Sequence, residues 1–355
     1  MNFAFSDEQD ALRASVREFL ASSYPPERVA EISDGDGFDP AEWRQIAELG
    51  WTSISVPEHA GGADLGFLEE AIVLEEAAAA LYPGPLFSTV ALAAPALHGD
   101  DLQAVNAGER AATLAWAEDD GRFAESGLAT RAEQANGGWT LTGRKRFVPD
   151  LASADLLVVV ADGGVFLADR DGGGVEWREV PTVDRTRRLG EVTFDGAPAR
   201  PVEDDPRAIL EAIRLRGAAA AAVEAVGVAQ TALDLASAHA GSREQFGRAI
   251  GTFQAVSHQL ADSFMDLENA RSLAYWAAWS VTEGAEDGPR AASTAKAFAT
   301  EAATTVCERA IQVHGGIGFT WESPLHRYYK RALWLQAFLG WPREHRALVA
   351  ASLLD

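Results

Sequence analysis

A chain of 355 residues exceeds one ordinary hydrophobic core, and 47% hydrophobic with 23% charged residues describes a packed globular protein of two or three domains, excluding disorder as its main state. The 30 basic against 53 acidic side chains leave a net charge of −23, which repels phosphate backbones and anionic bilayers, so nucleic acid and membranes are set aside as partners and an anionic ligand must find local positive pockets. Cys307 is the single cysteine, which excludes an internal disulfide and a multi-cysteine metal site; it lies among apolar neighbours at helical spacing and reads as core.

The opening MNFAFSDEQD has acids where a signal peptide needs a basic start and an apolar run, so a cytoplasmic location is expected. Ser6 and Gln9 form a capping box, with Leu12, Val16, Phe19 and Leu20 behind it at the period of an amphipathic helix. Asp39-Pro40 caps a second helix that Gly50 ends, and a third, rich in Ala and Glu, runs from Leu65 to Leu81. Residues 1–110 are thus expected to form a helical domain.

From Ala111 to Glu203 the pattern shortens to TLAWA, WTLTG, DLLVVVA, GVFLA and EVTF, separated by Gly, Asp and Asn, which predicts an antiparallel β domain with no room for βαβ units. Asn136-Gly137-Gly138 and Asp162-Gly163-Gly164 are tight hairpin signals because such turns need positive φ. DGGGVEW, Asp171 to Trp177, reads as another turn, since no helix start follows it. From residue 204 on, four periodic segments, the last from about Tyr328, predict an antiparallel helical bundle. The Ala-rich stretch Gly217 to Ala238 is interrupted by Glu224, Gln230 and Asp234, so it reads as a buried helix and not a membrane span.

Four segments carry a resemblance across essentially the whole chain. AELGWTSISVPEHAGGADLG, WTLTGRKRFVPDLASADLLVVVA, SREQFGRAIGTFQAVSHQLADS and IQVHGGIGFTWESPLHRYYKRA, in this order and spacing, resemble the acyl-CoA dehydrogenase family. The resemblance implies an α+β fold with an N-terminal all-α domain (1–110), a middle antiparallel β-barrel domain (111–203) and a C-terminal four-helix bundle (204–355). It also implies FAD, an acyl-CoA substrate, and cofactor contacts from Arg243, Phe246, Gly247, Gln254, Gln312, Val313, Gly315 and Gly316. The chemistry agrees: Arg243 is a planar fork suited to a pyrophosphate, Phe246 an aromatic face, Gln254 and Gln312 are amides, and Gly247, Gly315 and Gly316 let backbone approach a dinucleotide. The plain alternatives are an Arg243–Glu244 surface pair, a helix C-cap at Gly315-Gly316 and a structural His314. GGIGF follows a helix and is no Rossmann fingerprint.

The family abstracts a substrate proton with a glutamate, and the matching stretch, RYYKRALWLQAFLGWPREHR, puts Leu339 at that position. Leucine takes no proton, and a general base is worth roughly 10² to 10⁴-fold. The alternative family position falls near Gly217, and Glu211 and Glu224 on the same helix read as solvated or capping charges. A Thr that would serve the flavin ring is replaced within Phe147-Val148-Pro149, and the strand and turn over the ring survive only as LAWAEDDGRFAES. The expectation is a cytoplasmic FAD-handling subunit that completes a partner's site without catalysing, in a heterotetramer with a second acyl-CoA dehydrogenase-like subunit. A self-associating acyl-CoA dehydrogenase with an unusual base and a flavin-dependent hydroxylase or oxidase on the same fold are the alternatives.

Overall fold

The computed structural model describes residues 5–35, 37–135 and 137–354; the first four residues of the opening segment and Asn136 of the first hairpin lie outside them. Helix α1 (Asp7–Ser23) begins at the capping box, with Ser6 Oγ accepting from the Gln9 amide at 3.2 Å and Gln9 Oε1 accepting from the Ser6 amide at 3.0 Å. Helices α2 (Pro26–Asp34) and α3 (Pro40–Glu48) follow, the latter capped by the Asp39 carboxylate on the Ala41 amide. Helices α4 (Phe67–Ala79) and α5 (Gly99–Asn106) complete the N-terminal helical stretch.

Seven strands come next: β1 (Ala112–Ala115), β2 (Arg131–Ala135), β3 (Gly138–Pro149), β4 (Leu156–Ala161), β5 (Gly164–Asp169), β6 (Val175–Val180) and β7 (Leu189–Pro201). They form one sheet in the order β1-β4-β5-β7-β3-β2, with β6 also on β7. The apolar run of β4 is buried along its whole length, beside Leu141, Val148, Phe166, Val192 and Phe194 in the sheet's core. Amides of Ala132 and Asp162 bond to Asp162 O and Thr130 O, so the start of β2 meets the end of β4 and the sheet curls back on itself. Two contacts correct the all-antiparallel expectation: the Arg131–Asp162 bridge is parallel, and β1 runs parallel to β4. No crossover helix is needed, because β2 and β3 themselves carry the chain from one to the other.

Helix α6 (Pro206–Ser242) leads through a two-stranded hairpin, β8 (Glu244–Gln245) and β9 (Arg248–Ala249), to α7 (Gln254–Glu283) and α8 (Gly288–His314). The expected fourth helix is two, α9 (Leu325–Ala337) and α10 (Pro342–Leu354), because Leu339 and Gly340 take φ of 56° and 108° and Pro342 starts a new helix. Helix α8 packs against α7, α9 and α10. Helix α6 is long and apolar enough to cross a bilayer, but its apolar stretch is 78% buried within the fold, as in a core helix.

The chain divides into two compact units: residues 1–31, 67–82 and 218–355 form the first, residues 32–66 and 83–217 the second. In the first, Gly227 allows α6 to press on α4, since a Cβ there would sit 2.1 Å from Glu75 O. Glu75 is buried in that seam and binds Arg13, Arg271 and the Tyr275 hydroxyl, which ties α1, α4 and α7 together. Its own desolvation is outweighed by the two arginines, so its carboxyl lies below the ordinary range.

Candidate functional site

In the first unit, α6 ends at Ser242 and the chain reverses at Phe246-Gly247, whose φ values of 54° and 78° are those of a tight hairpin. Phenylalanine is costly in that backbone region, by about 1 kcal/mol or more, and its ring is 93% exposed. Arg243 is exposed immediately before β8, and among the described residues its side chain makes no ion pair or hydrogen bond, with Glu244 or any other group. The surface-pair alternative is thereby overturned. Gln254 opens α7 with its side chain exposed, and a Cβ on Gly247 would meet nothing within 4 Å.

The second motif lies at the end of α8. Gln312 is exposed, whereas Val313 is buried, so the latter has only its backbone to offer a ligand. Gly315, at φ 62° and ψ −139°, leaves the helix into a single 3₁₀ turn, Gly315–Phe319, and the Cβ positions of Gly315 and Gly316 are open space. The C-cap reading and the ligand reading are therefore compatible, because the cap leaves this backbone bare. His239 and His314 bring the two motifs together: their rings stack at 4.3 Å with 20° between planes, four residues before Arg243 and one before Gly315. His314 Nδ1 donates to Ala310 O at 2.9 Å, which makes it the structural histidine expected. A free guanidinium, an exposed aromatic ring and three glycines without steric cover fit a dinucleotide with a pyrophosphate.

Leu339, the residue expected at the position of the family base, is buried in the turn between α9 and α10. Lys296, fully buried on α8, donates to Leu335 O at 2.7 Å and Gly340 O at 3.3 Å, and the His345 ring meets Leu339 O at 3.2 Å. Burial pushes Lys296 down to about 7, against the pull of Glu344. The expectation for Glu224 is corrected: it is buried, 3.8 Å from Arg331 of α9, not solvated, because the middle of α6 is covered on all sides. Glu211 is exposed as expected.

The second unit holds the two segments expected to serve a flavin ring. Phe147 sits at φ 56° in a bulge of β3 with Arg146 over its ring at 5.2 Å, and Pro149 offers its carbonyl to Thr113 Oγ1. LAWAEDDGRFAES is ordered: buried Lys145 reaches Trp116 O at 3.0 Å and Glu118 Oε1 at 2.8 Å, and Glu118 also accepts from the Ala129 and Thr130 amides. Burial opposes the charge on Glu118, but these bonds, led by that from Lys145, hold it at about 2. Trp116 Nε1 donates to Ala124 O at 2.7 Å, closing the loop.

Elsewhere, Cys307 is buried and its thiol pushed up by burial, the Asp171 to Trp177 run is a turn that enters β6 at Val175, with Trp177 Nε1 donating to Asp171 Oδ1 at 3.1 Å, and no described residues cluster as metal ligands. Sequence reasoning missed His239, Lys145 and Lys296. Only their placement in otherwise apolar or motif-adjacent stretches hinted at them.

The chain matches known proteins along most of its length. The model of the acyl-CoA dehydrogenase N-terminal domain matches residues 6–104 and that of the C-terminal domain residues 209–354. "Acyl-CoA dehydrogenase IpdE2" of Mycolicibacterium smegmatis is 32% identical over 346 residues, 96% of each chain. A solved variant of the steroid ACAD Tcur3481-Tcur3483 is 34% identical with a TM-score of 0.89, covering 98% of both chains. The ChsE4-ChsE5 complex of Mycobacterium tuberculosis is 27% identical with a TM-score of 0.91, covering 100% of this chain and 99% of that one. With both domain models matched and the fold shared end to end, this chain belongs to the acyl-CoA dehydrogenase family of oxidoreductases acting on CH–CH bonds.

Proposed function

We propose that this chain is the base-lacking subunit of a heteromeric, FAD-dependent, cytoplasmic acyl-CoA dehydrogenase. The observation that carries the proposal is Leu339: the position of the family base holds a buried hydrocarbon, whereas Arg243, Phe246, Gly247, Gln254, Gln312, Gly315 and Gly316 stand open to a ligand. The losses and retentions are segregated, as they would be if the chain serves a partner's cofactor. Bound FAD would supply the acceptor for a hydride leaving the substrate Cβ, and the Cα proton would go to a base that this chain does not carry at Leu339. Arg243 would neutralise the pyrophosphate, the bare glycine backbone would seat the dinucleotide, and Phe246 would offer its exposed ring to the adenosine end. Relatives named as pairs, Tcur3481-Tcur3483 and ChsE4-ChsE5, support a two-chain assembly.

The test is coexpression with candidate acyl-CoA dehydrogenase subunits, followed by the flavin-to-protein ratio of the purified complex and dye reduction with a panel of acyl-CoA thioesters. Flavin and activity should appear only in the mixed complex. A yellow protein that reduces dye with an acyl-CoA when purified alone would overturn the assignment.

A further inference from the structure

The His239–His314 stack has no part in the assignment above, yet it stands where both cofactor motifs begin. His239 lies one helical turn before Arg243, and the Arg243 amide donates to His239 O at 2.8 Å, so a shift of His239 moves the start of the hairpin. His314 is the last residue of α8 and is anchored on Ala310 O, so a shift of its ring moves the Gly315-Gly316 turn. We propose that His239 and His314 are positioning residues, a neutral aromatic clasp that holds the REQFG hairpin and the GGIGF turn in register for the dinucleotide and lets go when both rings carry a proton. The proposal rests on the reading of these motifs as a cofactor site.

The physical reason is charge at short range. Neutral imidazoles stack favourably, and one charged ring on a neutral one is also attractive, whereas two cations at 4.3 Å repel. The charged or titratable groups bearing on His239 are His314 across the stack and Arg243 just past the end of its own helix. Burial, then His314, then Arg243 hold the His239 ring below the ordinary histidine value. A ring kept neutral by the fold contributes stability above the unfolded histidine value, and that contribution is lost as pH falls through it.

The experiment titrates FAD into the full chain, assembled with its partner where one is needed, at about pH 7.5 and about pH 5.5, on either side of the ordinary histidine value. Wild type should lose roughly tenfold in affinity at the lower pH, within the usual range of coupling between linked sites. His239→Phe keeps an aromatic face that cannot charge and should hold the higher-pH affinity at both values; His239→Ala should bind weakly at both. Hydrogen exchange of cofactor-free protein, normalised to intrinsic rates, should quicken at residues 243–250 and 315–319 at the lower pH in wild type and not in His239→Phe. An undiminished pH loss in His239→Phe, or exchange in wild type that ignores pH, would overturn the clasp. Were no form to bind FAD at either pH, the cofactor reading would fail while the exchange result still decided the clasp.

Discussion

Replacing Arg243 by alanine separates a ligand contact from a fold contact. The guanidinium is exposed and makes no ion pair or hydrogen bond among the described residues, so its removal should change stability by no more than about 0.5 kcal/mol, as at an ordinary surface position. Toward FAD the same change removes a charge-assisted bond to the pyrophosphate, commonly worth about 1.5 to 3 kcal/mol, or roughly 10 to 150-fold in Kd. The effect should be steeper at low salt, because a chain of net charge −23 repels an anionic ligand everywhere else. Arg243→Lys should recover part of the loss, keeping charge without the two-pronged geometry. Flavin fluorescence quenching on titration into the assembled protein reads the affinity, and a thermal melt of the cofactor-free form reads the fold. Unchanged FAD affinity in Arg243→Ala would remove this residue from the cofactor site. A large fall in the melting temperature would show that it holds the hairpin instead.

Other expectations follow from the same geometry. Gly227→Ala should destabilise the first unit by about 2 to 3 kcal/mol by forcing a methyl group against Glu75 O, seen as a lower urea midpoint; an unmoved midpoint would show that α4 and α6 separate freely. Because Glu118 is held at about 2 in the fold, its contribution is present above the unfolded carboxylate value and is lost as pH falls from there toward about 2. Glu118→Gln should therefore flatten that acid limb relative to wild type in pH-dependent melts, and identical limbs would count against the Lys145 ion pair. Leu339→Glu alone should yield no dehydrogenase activity on an acyl-CoA panel, since Pro149 still provides no hydroxyl; strong turnover would show that this chain builds a complete flavin site.

Features written in neighbouring residues were legible without coordinates. The Ser6–Gln9 capping box, the Asp39-Pro40 start, the Asp162-Gly163 turn and the REQFG and GGIGF motifs each depend on hydrogen bonds or φ values within a few positions, which residue type alone constrains. That Leu339 itself takes no proton was legible for the same reason, since a hydrocarbon side chain excludes proton transfer whatever surrounds it. Tertiary structure alone decided what depends on residues distant along the chain. It buried Glu224 against Arg331, paired β1 with β4 in parallel, split the last helix over a turn tied to Lys296, and stacked His239 on His314. Local pattern states how a segment folds, but the neutralisation of a buried charge and the meeting of two helix ends are set by packing, because the energy that fixes them belongs to pairs of side chains that only the folded chain brings within a few ångströms.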